Sequence, residues 1–391
     1  DSGCFIKYGS RGFECMKYFI IAGEASGDLH ASNLMASLKI IDEKAEFCML
    51  GGDLMIAQGG TLIRHYKDMA FMGFIPVLLH IRTVLKNIKD CKQAILDFKP
   101  DALILVDYPS FNLKMAQFVK VNMSGVRVFY YISPKLWAWK AYRLKAIKKF
   151  VDKVYSILPF EVDWFKQRGY EVTYVGNPCV DAIANRPHKD ESRQTFLQRN
   201  GLKGQPIMAL LCGSRVQEIK KSLPLMLQAA SSFPEYQLVI AGAPSIDKSL
   251  YESLTNGSPV TVLLNETYEL LQQSELAVVT SGTATLETAL LRTPQVVVYK
   301  MSGGWLFHRF LELFIKVENV SLVNLIANKR LVEELIIEDF TVKNLKNAIL
   351  RLQDEEYRTQ VLQGYDQLIE LLGDTPVSEK TARLMLAELT K

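Results

Sequence analysis

The chain has 391 residues, 49% of them hydrophobic, and a formal net charge of +4. A chain of that composition can bury large cores, and its length suits two ordinary domains better than one. Six cysteines at positions 4, 15, 48, 91, 179 and 212 form no CxxC pair and no zinc spacing, so reduced thiols in a cytosolic protein are expected, without a disulfide framework or a structural metal. The longest nearly apolar run, Met69 to Ile81, carries Pro76 and His80 and falls short of the about 20 residues that a membrane-crossing helix needs.

In chain order, Asp1 to Cys15 lacks an apolar core and periodicity, whereas Met16-Lys17 leads directly into Tyr18-Phe19-Ile20-Ile21. Residues 1–15 are therefore expected to be an unstructured extension outside the fold, resembling neither a signal nor a transit peptide, with Met16 as the start of the folded chain. Short β-branched and aromatic runs then alternate with helical patterns, predicting strands near 18–22, 46–50, 102–106, 126–131, 153–157 and 172–175. The polar stretch Asn185 to Gln205 predicts a linker that leads into a helix, after which strands are expected at 207–211, 237–241, 260–264, 276–279 and 295–298. From Thr341 onward the periodicity is helical. The expectation is an α/β protein of two Rossmann-like, doubly wound domains, 16–184 and 185–365, with a helical tail over 366–391 packing across both. Tandem domains of this kind bind ligands in a cleft at the carboxyl ends of their strands.

Five segments carry chemistry. Ile20 to Asp28 is a strand, a glycine turn and a helix start, where exposed amides attract anions. It lacks the third glycine of GxGxxG, and Glu24, just past the strand end, is a carboxylate that packing does not require. Asp107 follows the apolar run Ala102–Val106 and sits where a general base must stand, although capping a helix is the plainer use of such an aspartate. Ser133-Pro134-Lys135-Leu136-Trp137-Ala138-Trp139-Lys140 interleaves aromatics for sugar stacking or interfacial contact with cations for phosphate.

In the second half, Gly213-Ser214-Arg215 closes a strand, and an arginine there pairs bidentately with phosphate oxygens. Thr280-Ser281-Gly282-Thr283-Ala284-Thr285-Leu286-Glu287 is a second strand-to-helix turn suited to a diphosphate, with Glu287 one helical turn in to accept from ribose hydroxyls.

Charge is uneven. Residues 61–150 hold 16 Lys or Arg against 5 Asp or Glu, so this stretch is expected to face an anionic partner rather than only solvent. Phe71-Met72-Gly73-Phe74 and the apolar residues after it precede Arg82, Lys86, Lys89 and Lys92, a pattern that suits shallow insertion into an anionic bilayer or acyl-chain binding as well as simple burial.

Taken together, Ala22–Asp28, Asp107–Asn112, Ser133–Trp139, Gly213–Arg215, Ser281–Glu287 and Val320–Ile326 resemble, in order and from Met16 nearly to the end, the motif set of lipid-A-disaccharide synthases. The resemblance implies a GT-B glycosyltransferase, peripheral on the cytoplasmic face of the inner membrane, that joins UDP-2,3-diacylglucosamine to lipid X. It further implies Asp107 as base, Arg215 at the leaving group with Gly213 and Ser214, and Ser281, Gly282 and Thr283 around the diphosphate. Glu287 would hold the ribose and Asn324 would lie in the donor site. Glu24 and Ser26 would line the acceptor side, with Trp137, Trp139, Phe71 and Phe74 as its lipid-facing residues.

No DxD-like carboxylate pair stands where a divalent cation would bind, so neither metal nor cofactor is expected and arginine and helix N-termini must meet the diphosphate charge. Two departures from the family pattern are Ala25 for a frequent threonine and Gly176-Asn177-Pro178 for Gly-His-Pro. The alternatives are a muramyl-lipid glycosyltransferase, a UDP-N-acetylglucosamine 2-epimerase and a non-catalytic lipid-binding protein. No nucleic-acid module accompanies the basic stretch, and oligomeric state stays open, a homodimer included.

Overall fold

A computed structural model describes residues 15–69, 81–137, 141–255, 257–300, 319–373 and 376–391. The chain forms two compact units, the first drawn from Asp1–Ile157, Glu161–Val175 and Pro376–Lys391, the second from Leu158–Phe160 and Gly176–Thr375.

The first unit holds a seven-stranded sheet of β1 (Lys17–Ala22), β2 (Glu46–Gly51), β3 (Thr61–His65), β4 (Ala102–Val106), β5 (Arg127–Tyr131), β6 (Lys153–Ser156) and β7 (Thr173–Tyr174). Its order is β3-β2-β1-β4-β5-β6-β7, every pair parallel. Parallel pairing requires crossover helices on the faces, so the inner strands are buried at every position after the first, and Ala102–Val106 throughout. Alternate residues serve opposite faces. Phe19, Ile21, Leu103 and Leu105 share one core with Ile95, Met115 and Val119, while Ile20, Ile104 and Val106 share another with Leu34, Leu38, Val377 and Met385. Each such large side chain contributes roughly 1.5–3 kcal/mol by leaving water.

The second unit repeats the plan with β8 (Ile207–Leu211), β9 (Gln237–Gly242), β10 (Val260–Leu264), β11 (Leu276–Thr280), β12 (Gln295–Tyr299) and β13 (Glu333–Ile336). All pairs are parallel, in the order β10-β9-β8-β11-β12-β13. The direction of winding reverses between β1 and β4 in one sheet and between β8 and β11 in the other. These are the topological switch points where open α/β sheets bind ligands.

The eleven strands expected from the sequence all form. β3 and β13 were not among them, for different reasons. β3 is a half-exposed edge strand with Arg64 and His65, so it carries no apolar run. β13 begins with two glutamates, yet Glu334 is buried because its carboxylate accepts from the backbone N–H of Val320 and Ser321 (2.9 Å each), Ser321 Oγ (2.6 Å) and Asn324 Nδ2 (2.8 Å). The linker 185–205 contains the helix Arg193–Arg199, capped by Ser192. Beyond Thr341 the helices are Val342–Gln353, Glu355–Leu372 and Val377–Leu389. The last belongs to the first unit, against the helix Ala25–Ile41. Residues 1–14 lie outside the described residues, and the described cysteines are unbridged.

Asp28 closes the first sequence motif as a structural anchor. It is buried, and its carboxylate accepts from the backbone N–H of Gly52 (2.7 Å), Leu54 (3.1 Å) and Met55 (3.2 Å), which starts the short helix Asp53–Ala57 after β2. Asp28→Ala leaves those donors without the carboxylate and is expected to lower unfolding free energy by about 2–3 kcal/mol. Urea denaturation checks this, and a shift below about 0.5 kcal/mol, the range of neutral surface changes, would overturn it.

Candidate active site

At the first switch point the chain leaves β1 through Gly23 and Glu24 and leaves β4 through Asp107 and Tyr108. Asp107 (φ 45°) and Tyr108 (φ 47°) are successive left-handed residues, a conformation that costs a non-glycine residue roughly 1–2 kcal/mol. Two donors hold it in place: Tyr130 Oη and Asn112 Nδ2 each reach the Asp107 carbonyl at 2.6 Å. Tyr130 and Asn112 are fully buried. The turn lays the Tyr108 ring on Gly23, where a Cβ would lie 2.3 Å from the ring, so only glycine permits this approach.

Asp107 as a residue is half-buried. Burial raises its pKa, while the Lys135 ammonium and the Tyr108 backbone N–H partly offset that rise. The result is a more basic carboxylate than a free one, as proton abstraction needs. Burial and then the charge of Glu24 raise the pKa of the Tyr108 hydroxyl, which puts Glu24 within electrostatic range of this turn. Ser26 is exposed in the first turn of the helix that follows.

A second carboxylate escaped the sequence reading. Glu161 is 1% exposed and accepts from Ser156 Oγ (2.6 Å), Trp137 Nε1 (3.1 Å) and Ser133 Oγ (3.2 Å). Burial pushes its pKa up to about 7, with those three bonds and Lys135 opposing. The sequence marked it only by its place in the first turn of the helix Pro159–Lys166 that follows β6. Of the expected lipid-facing residues, Trp137 is half-buried with its indole N–H on Glu161. Phe71, Phe74 and Trp139 lie outside the described residues. Arg82, Lys86 and Lys89 are exposed on the helix Ile81–Phe98.

In the second unit, Gly213 adopts φ 105°, and a Cβ there would lie 2.7 Å from Glu218 Oε2. Ser214 and Arg215 are exposed at the start of the helix Val216–Ala230, and Arg215 Nη1 lies 3.2 Å from Glu218 Oε1. β8 and β11 are hydrogen-bonded neighbours, with Leu211 in register with Val279. The Gly213–Arg215 turn therefore lies beside the Ser281–Thr283 turn.

Ser281, Gly282 and Thr283 are half-buried, and the helix Thr283–Leu290 starts there. The Thr280 hydroxyl is buried with no hydrogen-bond partner among the described residues. Glu287 Oε1 accepts from Tyr268 Oη at 2.7 Å, and burial raises the Glu287 pKa against that bond.

Asn324 differs from its expected role as a donor-site contact. It is fully buried: Oδ1 accepts from the N–H of Leu331 (2.8 Å) and Val332 (2.9 Å), and Nδ2 donates to Val332 O (2.9 Å) and Glu334 Oε1 (2.8 Å). An amide has no further capacity, so Asn324 shapes the Val320–Ser321 loop, whose Val320 carbonyl faces Ser281 Oγ at 3.5 Å. Asn177, which stands where the family often has histidine, accepts from Cys179 N at 3.0 Å and caps the helix Pro178–Ala184. Among the described residues no cluster of three or more His, Cys, Asp or Glu suits a metal ion.

Two parallel sheets, each with polar turns gathered at its switch point, give the chain a fold of the two-domain GT-B class. Solved structures agree on the fold. A UDP-GlcNAc 2-epimerase from Neisseria meningitidis bound to UDP-GlcNAc matches with TM-score 0.66 at 12% identity, over 95% of this chain and 100% of that one. The glycotransferase of kitacinnamycin matches with TM-score 0.64 at 12% identity, over 96% of this chain and 100% of that one. Within that class, the chain belongs to the lipid-A-disaccharide synthetase family, whose model matches residues 18–387, and it is a glycosyltransferase. Lipid-A-disaccharide synthase of Myxococcus xanthus is 38% identical over 95% of this chain and 97% of that protein. The Geobacter sulfurreducens enzyme is 34% identical over 96% and 98%.

Glu161 makes stability pH-dependent. A carboxyl whose folded pKa is about 7 against an ordinary 4.5 stabilises the fold fully below pH 4.5, and that contribution is lost as pH rises through 7. The amount is on the order of 3 kcal/mol. Glu161→Gln is expected to show a smaller fall in melting temperature between pH 5 and pH 8 than the parent, and an equal fall would overturn the assignment.

Proposed function

We propose that this chain condenses UDP-2,3-diacylglucosamine with lipid X, a diacylglucosamine 1-phosphate, to give the β-1',6-linked lipid A disaccharide 1-phosphate and UDP. The observation that carries this reading is the family match over residues 18–387. The gathering of the motif turns at the two switch points supports it. The donor's UDP is α-linked and the product β-linked, so one in-line displacement with inversion accounts for the chemistry.

In that step Asp107 accepts the proton of the acceptor 6-hydroxyl as its oxygen attacks the anomeric carbon. The bond from that carbon to the diphosphate breaks, and the electron pair leaves with UDP. Arg215 meets the departing charge, helped by the backbone at Gly213 and Ser214 and the turn Ser281-Gly282-Thr283, because oriented donors act most strongly where charge develops. Glu287, whose second partner is Tyr268, accepts from ribose hydroxyls. Glu24, Ser26 and Trp137 take the acceptor side, with Phe71, Phe74 and Trp139 for its acyl chains.

Lipid substrates require an enzyme that works at a bilayer, so we assign the chain to the cytoplasmic face of the inner membrane as a peripheral protein. No helix among the described residues is long and apolar enough to cross a membrane, and the exposed cations Arg82, Lys86 and Lys89 suit anionic headgroups. A 2-epimerase reading rests on fold alone at 12% identity, and conversion of UDP-N-acetylglucosamine without acceptor would be its mark.

The paired test is Asp107→Asn and Arg215→Ala, assayed for acceptor-dependent UDP release and, by calorimetry, for UDP affinity. Asp107→Asn is expected to cut turnover by about 10²- to 10⁴-fold with UDP affinity intact. Arg215→Ala is expected to weaken UDP binding and rate together. Near-parental turnover in the first variant, or unchanged UDP affinity in the second, would remove the respective role.

A further inference from the structure

The loop that carries Lys135 toward Asp107 leaves β5 under strain. Ile132, immediately after Tyr131, adopts φ 62°, a left-handed conformation that is an outlier for a β-branched residue and persists only when its surroundings impose it. The Ile132 N–H donates to the Tyr155 carbonyl at 3.3 Å, and side-chain contacts of the residues after it converge on one group. Glu161, at the start of the helix Pro159–Lys166, binds Ser133 and Trp137, on either side of Lys135, and Ser156 at the end of β6. The carboxylate is 1% exposed, so it does not touch a substrate in solvent, yet a buried acid is costly and an apolar residue would fill the site at less expense. Between Ser133 and Trp137 stands Lys135, which is exposed and whose charge acts on both Asp107 and Glu161.

We propose that Glu161 is a positioning residue for glycosyl transfer: by holding Ser133 and Trp137 against Ser156 it fixes the loop that presents Lys135 to Asp107 and to the phosphorylated acceptor. Lys135 then has two uses from one location. It limits the rise in the Asp107 pKa, and it offers a cation to the anionic group of the acceptor. This inference rests on the assignment of Asp107 as base. It adds a residue outside the motif set that tunes that base without contacting either substrate.

Three variants test it in the full chain: Glu161→Leu, Glu161→Gln and Trp137→Phe. Each is assayed for kcat, for KM of donor and acceptor separately, and for UDP affinity, which reports on the second unit. Glu161→Leu is expected to lower kcat by about 10-fold or more and raise acceptor KM, with donor KM and UDP affinity within about 2-fold, because displacements near 1 Å cost rates of this order. Glu161→Gln retains an acceptor for the indole N–H and is expected to recover most of that loss. Trp137→Phe breaks one tether without emptying the buried site. Should Glu161→Leu fail to fold, a kcat loss of about 3-fold or more in Trp137→Phe at unchanged UDP affinity supports the proposal only when Ser133→Ala, which cuts the other tether to Glu161 at a residue outside the acceptor set, shows the same loss.

Parental kcat and acceptor KM in Glu161→Leu, or in Trp137→Phe where the former does not fold, would overturn it. So would equal loss in Glu161→Leu and Glu161→Gln, or a fall in UDP affinity matching the fall in rate, since either marks general destabilisation. Asp107→Asn in the same assay separates the two readings. Full activity there defeats the base assignment, whereas an inactive Asp107→Asn beside a fully active Glu161→Leu defeats the positioning role alone.

Discussion

A parallel strand cannot be joined to its neighbour by a tight turn, so each connection must cross a face of the sheet and return to the same end. Every strand-to-helix turn therefore emerges at the same end of the sheet, and where the winding reverses, between β1 and β4 and between β8 and β11, the connections that leave the two adjacent strands depart to opposite faces and leave room between them. Glu24 and Asp107 flank the first gap, Arg215 and Ser281 the second. Within each sheet taken by itself, the polar groups gather at the switch point because pairing geometry leaves them that location.

How each carboxylate is satisfied separates scaffold from chemistry. Asp28 takes three backbone N–H groups, and Glu334 takes two backbone N–H groups, a hydroxyl and an amide, so both serve the fold. Asp107 uses its carbonyl for Tyr130 and Asn112, which fixes the residue while its carboxyl keeps capacity for a proton. Glu161 lies between these types, buried like the first and electrostatically joined to the second through Lys135.

The comparisons divide along the same line. Epimerase and glycotransferase structures share the fold at 12% identity, because apolar strand runs and crossover helices tolerate wide substitution as long as burial is kept. Identity rises to 38% over nearly the whole chain for a lipid-A-disaccharide synthase. Fold likeness alone would leave the reaction open, and it is the lipid-A-disaccharide family match that selects it.

What the one-dimensional chain determined was whatever depends on local pattern: inner strands as unbroken apolar runs, glycine turns at their ends, and the motif residues Glu24, Asp107, Arg215 and Glu287 at strand-to-helix junctions. The tertiary structure decided whatever depends on partners distant in sequence. β13 reads as polar until Ser321 and Asn324 bury Glu334, and Asn324 reads as a ligand contact until Leu331 and Val332 fill its amide. Glu161 reads as a helix-surface acid until Ser133 and Trp137, more than 20 residues upstream, enclose it. Periodicity reports which face of an element is buried, but the satisfaction of a buried polar group is a property of two or more segments at once, and only the folded chain brings them together.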